Sequence, residues 1–414
     1  MPNQFVVHYS EVALKGNNRP EFVRAFRKNI NRALHGIDHD GVFTEGRLLI
    51  TSDADPDEIS RRLGRVFGVS WFAPVTRVKQ DYPSMLEAVL DSAKSTAGKS
   101  FKIVPRRTDK AFPLTSQQLA NSLGAEVEKR TGLEVDLKNP DLAIHVDVVR
   151  GGALVYTDKR RGVGGLPLGT AGRVMHLFSG GIDSPVAAWL LMKRGTRPVY
   201  LHFYLAPTPA SALDSKITRL VKVLSEFGGK STLVLVPFAE YQLATAGVPA
   251  DLEPSLFRRF MRMVAEGLAP RFEATAISTG DSLSQAASQT IWNLAPFDSG
   301  SSLPILRPLL TYDKDEIVGL ARKIGTYDMS LEDYKDCCAM ITRHPRTRLK
   351  AELVSEYVHR FGLQDLVWKS VDKATIVTYN PAGAVLKHFP LTESAPKVRD
   401  RYPAPIRPDS EAII

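Results

Sequence analysis

The sequence predicts an α/β protein: a doubly wound parallel sheet preceded by two small α+β domains. From residue 173 to about 385, short apolar runs alternate with stretches of helical period, the pattern of a parallel sheet wrapped by helices. Upstream, residues 1–75 and 76–166 each carry strands and helices of their own, and a Gly/Pro-rich stretch leads on to Gly172. At 414 residues the chain is also too long for one hydrophobic core.

In the first domain, Phe5–Tyr9 reads as a strand. Phe22, Phe26, Ile30 and Leu34 recur every four residues and mark one face of a helix, with Arg24, Arg27, Lys28 and Arg32 mostly off it. Residues 47–51 give a second strand, 57–66 a second helix and 69–75 a third strand. The second domain opens with a helix over 82–97 and a strand over 101–107 that ends in Arg106 and Arg107. Leu119, Leu123 and Val127 mark a helix stopped at Gly132. Leu142, Ile144, Val146 and Val148 alternate, as in a strand with one buried face. His145 is a polar-face strand residue there, with no second ligand at metal-site spacing. Residues 153–156 then lead to the basic run Lys159, Arg160, Arg161.

The third domain, 173–385, starts with a strand over 174–178. Ser179, Gly180 and Gly181 break it, Ser184 is placed to cap a helix and Pro185 suits its first turn. A glycine-rich turn between a buried strand and a helix N-terminus binds anions, because backbone N–H groups and the helix dipole face the ligand. The Gly-Lys-Ser/Thr ending of a P-loop NTPase is missing. Strands over 198–204, 231–236 and 274–280 follow, with helices over 218–227 and 257–268. The glycine turn, His202, Phe203, Gly280 and Asp281 therefore fall at strand C-termini, the edge where such sheets bind ligands. Gln285 and Gln289 lie four apart, which on a helix is one face. From Asn380 onward prolines are frequent, and 386–414 is expected to be an irregular tail.

A net charge of +9 fits a nucleic-acid partner without demanding one. No run of about 18 apolar residues could span a membrane, and Met1–Phe5 does not open a signal peptide. The only cysteines, Cys337 and Cys338, are adjacent, which excludes a disulfide framework and a four-cysteine zinc site. A cytoplasmic protein with no metal site of its own is expected.

Ser179-Gly-Gly-Ile-Asp-Ser184 resembles the PP-loop of ATP pyrophosphatases, which cleave ATP between the α- and β-phosphates and leave an adenylated substrate. An ordinary βα turn is the competing reading. Tyr9–Asn18 resembles the opening of the tRNA 4-thiouridine synthetases, the ThiI family. Leu137–Leu142 and the strand after it resemble a THUMP RNA-binding domain, and the family resemblance implies a ferredoxin-like domain over 1–75. Gly280–Thr290 resembles the family's second nucleotide-contacting segment, and Leu306–Gly325 a further shared stretch. Tyr334–Thr342 stands where the family has a persulfide-carrying cysteine: alignment from Arg307 favours Cys337, spacing to Pro345 favours Cys338. Too little chain follows Cys338 for the rhodanese domain of longer members, so the shorter branch is the one resembled.

The resemblance implies a tRNA sulfurtransferase using ATP and Mg2+ to convert uridine at tRNA position 8 to 4-thiouridine, with thiamine thiazole synthesis as an added role. It implies ATP binding by Leu177, Phe178, Ser179, Gly180, Gly181, Asp183, Ser184, His202, Phe203, Arg259, Gly280 and Gln289, with Asp183 at the magnesium or pyrophosphate. Cys337, Cys338 and Asp183 are the expected catalytic residues. Lys15, Arg106, Arg107, Lys159, Arg160 and Arg161 are the expected RNA contacts. A cysteine desulfurase would donate sulfur, and a homodimer is admitted. Two other readings stay open. One is a PP-loop ligase adenylating a small molecule. The other is a non-catalytic RNA-binding module.

Overall fold

The computed structural model describes residues 2–14, 16–44, 46–95, 98–205, 213, 215–334, 337 and 346–391. The chain divides into two compact units, Met1–Pro167 and Leu168–Ile414.

The first unit holds two sheets. Strands β1 (Asn3–Tyr9), β2 (Asp40–Thr44), β3 (Arg47–Ser52) and β4 (Val69–Pro74) form an antiparallel sheet. Alternation along β1 explains why both its faces are buried. Phe5 and Val7 pack with Phe26 and Ile30 of the Arg19–Ala33 helix and with Ile59 and Leu63 of the Pro56–Leu63 helix. Val6 faces the other way, onto Leu154 and Tyr156. The second sheet contains β5 (Thr76–Val78), β6 (Ser100–Arg107), β7 (Glu134–Val135), β8 (Leu142–Val149) and β9 (Gly152–Tyr156), in the order β5-β9-β8-β6-β7. Its core lies under the Tyr82–Lys94 and Ser116–Thr131 helices. At the seam, Arg47 donates to Asp147 across 2.9 Å with both side chains buried. The basic run does not stay with the second sheet: β10 (Arg160–Arg161) pairs with β4 and extends the first.

The second unit is built on β11 (Arg173–Leu177), β12 (Arg197–Tyr204), β13 (Ser231–Pro237), β14 (Ala274–Ser278), β15 (Ile305–Leu306), β16 (Thr375–Tyr379) and β17 (Val385–Pro390). Their order is β15-β14-β11-β12-β13-β16-β17. The first five run parallel, whereas β16 and β17 add an antiparallel edge that the sequence pattern did not predict. β17 corrects the expected tail, because 385–390 is paired strand. Both faces are covered. Met175 packs toward the Glu253–Leu268 helix, and Val174 faces the opposite way, onto Leu191 of the Asp183–Lys193 helix. The strand order reverses at β11, between β12 and β14, so a crevice opens above the carboxyl end of β11. No helix among the described residues is long and apolar enough to cross a membrane.

Candidate active site

At that carboxyl end, Ser179–Ile182 turn the chain into the Asp183–Lys193 helix. Ser184 does not cap this helix as expected; Ile182 occupies the cap position without a side-chain bond. The Ser184 hydroxyl points back instead. It donates to the Ser179 carbonyl across 2.9 Å and accepts from the Ser179 N–H across 3.0 Å. The turn is thereby closed on itself with the helix N-terminus beneath it, a geometry suited to anionic oxygens. His176 secures the turn from below: its Nε2 donates to the Ser184 carbonyl across 2.9 Å, and its Nδ1 accepts from Ser278 across 2.8 Å. Full burial pushes its pKa down to about 4.

Asp183 stands at the first turn of the helix, its side chain 22% exposed. It accepts from Lys314 Nζ at 2.7 Å and from Gln285 Nε2 at 3.3 Å. Gly280 approaches so closely that a Cβ there would lie 2.9 Å from Ser184 N and Cα. The turn after it is fixed by Asp281, which takes both oxygens to Arg258 at 2.8 and 2.7 Å and accepts from Thr279 at 2.8 Å. Arg307 adds a third donor to Asp281 at 3.3 Å.

Beside the turn lies a cavity of about 550 Å3, within the range of small-molecule sites. Leu177, Phe178, Ser179, Gly180, Gly181, Asp183, Ser184, His202, Phe203, Gly280 and Gln289 all line it, and so does Cys337. Cys337 is 1% exposed, and its thiol donates to the Phe203 carbonyl across 3.1 Å. A phosphate-type turn and a thiol thus share one chamber. Gln289 Oε1 is buried there with no hydrogen-bond partner among the described residues, an acceptor for an incoming N–H.

Arg259 is corrected. It does not line the cavity; it donates to the Pro296 carbonyl across 2.9 Å and is 9% exposed. Burial, then the neighbouring Arg262, hold its pKa down at about 10. A helix turns about 100° per residue, so the next-door Arg258 faces the cavity instead. The glutamines are corrected too. Gln285 sits in a turn and Gln289 in a short 3-10 helix, so they share no α-helical face. Cys338 and Lys15 lie outside the described residues.

Lys216 carries no signal in the sequence pattern, and Tyr334 enters it only as the first residue of the cysteine-bearing stretch. Lys216 is 6% exposed, and its Nζ donates to the Ser330 and Glu332 carbonyls at 2.8 and 2.7 Å. Tyr334 donates to His202 across 2.8 Å. Neither belongs to a glycine-rich motif, and both are held at the cavity by bonds to residues far away in the chain.

In the first unit, Arg106, Lys159 and Arg161 are exposed and Arg107 and Arg160 half-buried. Arg107 holds the Phe112 and Leu114 carbonyls at 2.8 and 2.7 Å. Arg160 pairs with Asp158 and Asp57, and Lys159 lies over the Trp71 ring, 4.4 Å from its centroid.

Three family models match: the ThiI ferredoxin-like domain over 4–73, the THUMP domain over 81–158 and the thiamine biosynthesis protein (ThiI) over 169–363. A probable tRNA sulfurtransferase of Moorella thermoacetica is 37% identical over 390 residues, covering 93% of this chain and 100% of that one. Its counterpart from Thermus thermophilus is 39% identical over 390 residues, covering 92% and 95%. A crystal structure described as a 4-thiouridine synthetase–RNA complex with bound ATP superposes with a TM-score of 0.82 at 32% identity, covering 91% and 100%. PH1313 from Pyrococcus horikoshii shares the fold, with a TM-score of 0.61 at 23% identity over 78% and 99%.

Proposed function

The chain belongs to the ThiI family of tRNA sulfurtransferases and catalyses ATP-dependent tRNA thiolation, and from that premise we propose how its residues divide the work. The single observation that carries the reading is the shared chamber: the Ser179–Gly181 turn and the Cys337 thiol line the same cavity. The turn and the helix N-terminus beneath it receive the phosphates of ATP. Uridine O4 of the tRNA, at position 8, attacks the α-phosphate and pyrophosphate leaves. The terminal sulfur of a persulfide on Cys337 then bonds to C4, and AMP leaves with the oxygen; a second thiol, from Cys338 or from outside the chain, attacks the Cys337 sulfur and breaks the S–S bond, so that a disulfide forms and the terminal sulfur stays on C4. Gln289 Oε1 offers an acceptor to a base N–H.

Asp183 fits a magnesium ion carried on the nucleotide. No group of three or more His, Cys, Asp or Glu among the described residues could hold a metal alone, whereas magnesium needs only one or two carboxylates beside phosphate oxygens. When bound, the ion neutralises charge on the phosphates. Lys314 and Gln285 keep the Asp183 carboxylate aimed.

Exposed Arg106, Lys159 and Arg161 supply the first unit's phosphate contacts to tRNA. The reading also includes a cytoplasmic location, a cysteine desulfurase as sulfur donor and a homodimer. Delivery of sulfur toward the thiamine thiazole is a second reading, favoured by the description of the matched ThiI family. Nucleoside analysis of tRNA from a strain lacking this protein tests the activity: 4-thiouridine should disappear, and its persistence would refute the reading. Asp183→Ala should cut tRNA-dependent pyrophosphate release by about 10²-fold, and normal release would refute the assignment of the turn.

A further inference from the structure

The Ile291–Asp298 helix begins two residues after Gln289, a cavity-lining residue, and leaves two apolar side chains in solvent. Ile291 is 64% and Trp292 51% exposed. Single exposed apolar residues are common. This tryptophan differs because the Arg348 guanidinium lies over its ring, 4.5 Å from the centroid. The chain around the pair is built to hold it. Asn293, 3% exposed, donates from Nδ2 to the Ala287 and Arg346 carbonyls at 2.7 Å each. Thr290 donates to the Thr347 carbonyl across 2.8 Å. Residues on both sides of Trp292 thus grip the two residues just before Arg348, and Leu349, the residue just after it, is buried.

A rigid, exposed aromatic face with a cation on it, beside a cavity that receives a nucleotide, matches the chemistry of an unstacked nucleobase. Every base has a π-face, and RNA read outside a duplex is held by aromatic and guanidinium stacking. We propose that Trp292 and Arg348 form a stacking platform for a tRNA base flanking the uridine held in the cavity, with exposed Arg348 and Lys350 drawing in the phosphates on either side. The inference rests on the tRNA-thiolation reading and adds the group that seats the substrate next to the reacting base. A target uridine must leave its stack to reach the chamber, so its neighbour loses a stacking partner. Trp292 replaces that partner.

The test is tRNA-dependent pyrophosphate release, a half-reaction with no sulfur donor present. Trp292→Ala should raise KM for tRNA roughly tenfold, the effect of one stacked base, and leave KM for ATP unchanged. Trp292→Phe should restore most of the loss. The chain has four tryptophans, and RNA binding should quench a fluorescence component that Trp292→Phe abolishes while staying active. An unchanged KM for tRNA in Trp292→Ala, or the same RNA-induced quench in Trp292→Phe, would overturn the platform. If only donor-driven thiolation falls, the surface docks the sulfur-donating protein and the platform is likewise refuted. Wild-type protein that releases no pyrophosphate with tRNA would instead sink the underlying function, and the two failures are distinct.

Discussion

In the neutral His202 ring, Nε2 accepts the Tyr334 hydroxyl across 2.8 Å, and the ring's other bond sets that direction. The other ring nitrogen, Nδ1, lies 2.8 Å from the Phe178 carbonyl, which only accepts, so in the neutral ring Nδ1 carries the proton and Nε2 accepts. The bond ties the segment bearing Cys337 to β12, one strand from the phosphate-type turn. Lys216 ties the same segment through Ser330 and Glu332. Tyr334 also covers the turn directly: a Cβ on Gly180 would lie 3.1 Å from its ring.

Tyr334→Phe should therefore cost about 1–2 kcal/mol of stability by removing the bond to His202 Nε2. It should slow sulfur transfer more than pyrophosphate release, because what it loosens is the placement of Cys337. Denaturant unfolding and the two half-reactions, measured separately, check this. Equal slowing of both would place Tyr334 with the nucleotide rather than the thiol.

Two glycines separate close approach from mere helix placement. Gly280→Ala drives a methyl against backbone atoms of Ser184, 2.9 Å away, which cannot give as a side-chain end could. About 1–3 kcal/mol should be lost, with weaker ATP binding because the turn is displaced. Gly319, inside the Lys314–Ile324 helix, would place an added methyl with nothing within 4 Å and has no left-handed φ, so Gly319→Ala should stabilise by up to about 1 kcal/mol. Thermal melts with ATP titrations decide it. Similar ATP affinity in Gly280→Ala and wild type would mean the turn tolerates the shift.

Much of this was legible in the sequence because it is local. The strand-turn-helix at Val174–Lys193 announces itself through two glycines and a proline within a few residues. The alternation in Leu142–Val149 fixes which face of β8 is buried. What stayed hidden depends on contacts far apart in the chain. β2 has only two apolar residues, adjacent and not alternating, and β10 is two arginines, so neither carries a strand's apolar alternation. Arg258 and Arg259 are adjacent and chemically identical, and only the packed helix shows which one faces Asp281. β17 is exposed along most of its length and is defined by pairing with β16.

Stability should rise with pH between about 4 and 6.5. His176 is neutral in the folded chain down to about pH 4, because burial disfavours its charge. The unfolded chain protonates it near 6.5. Within that window the unfolded state binds more protons, so acid destabilises the fold, by roughly 3 kcal/mol for a full shift of this size. His8, held down at about 3 by burial first and Arg47 second, acts in the same direction. His176→Gln should flatten the slope of unfolding free energy between pH 4.5 and 6.5 relative to wild type, leaving the His8 contribution. An identical slope would show that His176 titrates normally in the fold.

The basic residues of the first unit should divide into two kinds when changed to alanine. Arg106, Lys159 and Arg161 are exposed, and phosphate contacts by such side chains release counterions on binding. Losing all three should weaken tRNA binding and reduce the slope of log affinity against log salt by about one for each contact removed. Arg107 lies on the same strand as Arg106 but spends its guanidinium on the Phe112 and Leu114 carbonyls. Arg107→Ala strands those acceptors and should lower the melting temperature while leaving the salt slope unchanged. Arg160, paired with Asp158 and Asp57, should behave more like Arg107 than like its neighbours. Filter binding of tRNA from low to moderate salt, alongside melts, separates the two. An unaltered slope in the triple variant would move the RNA surface to another basic face, such as that of the helix carrying Arg24 and Arg27.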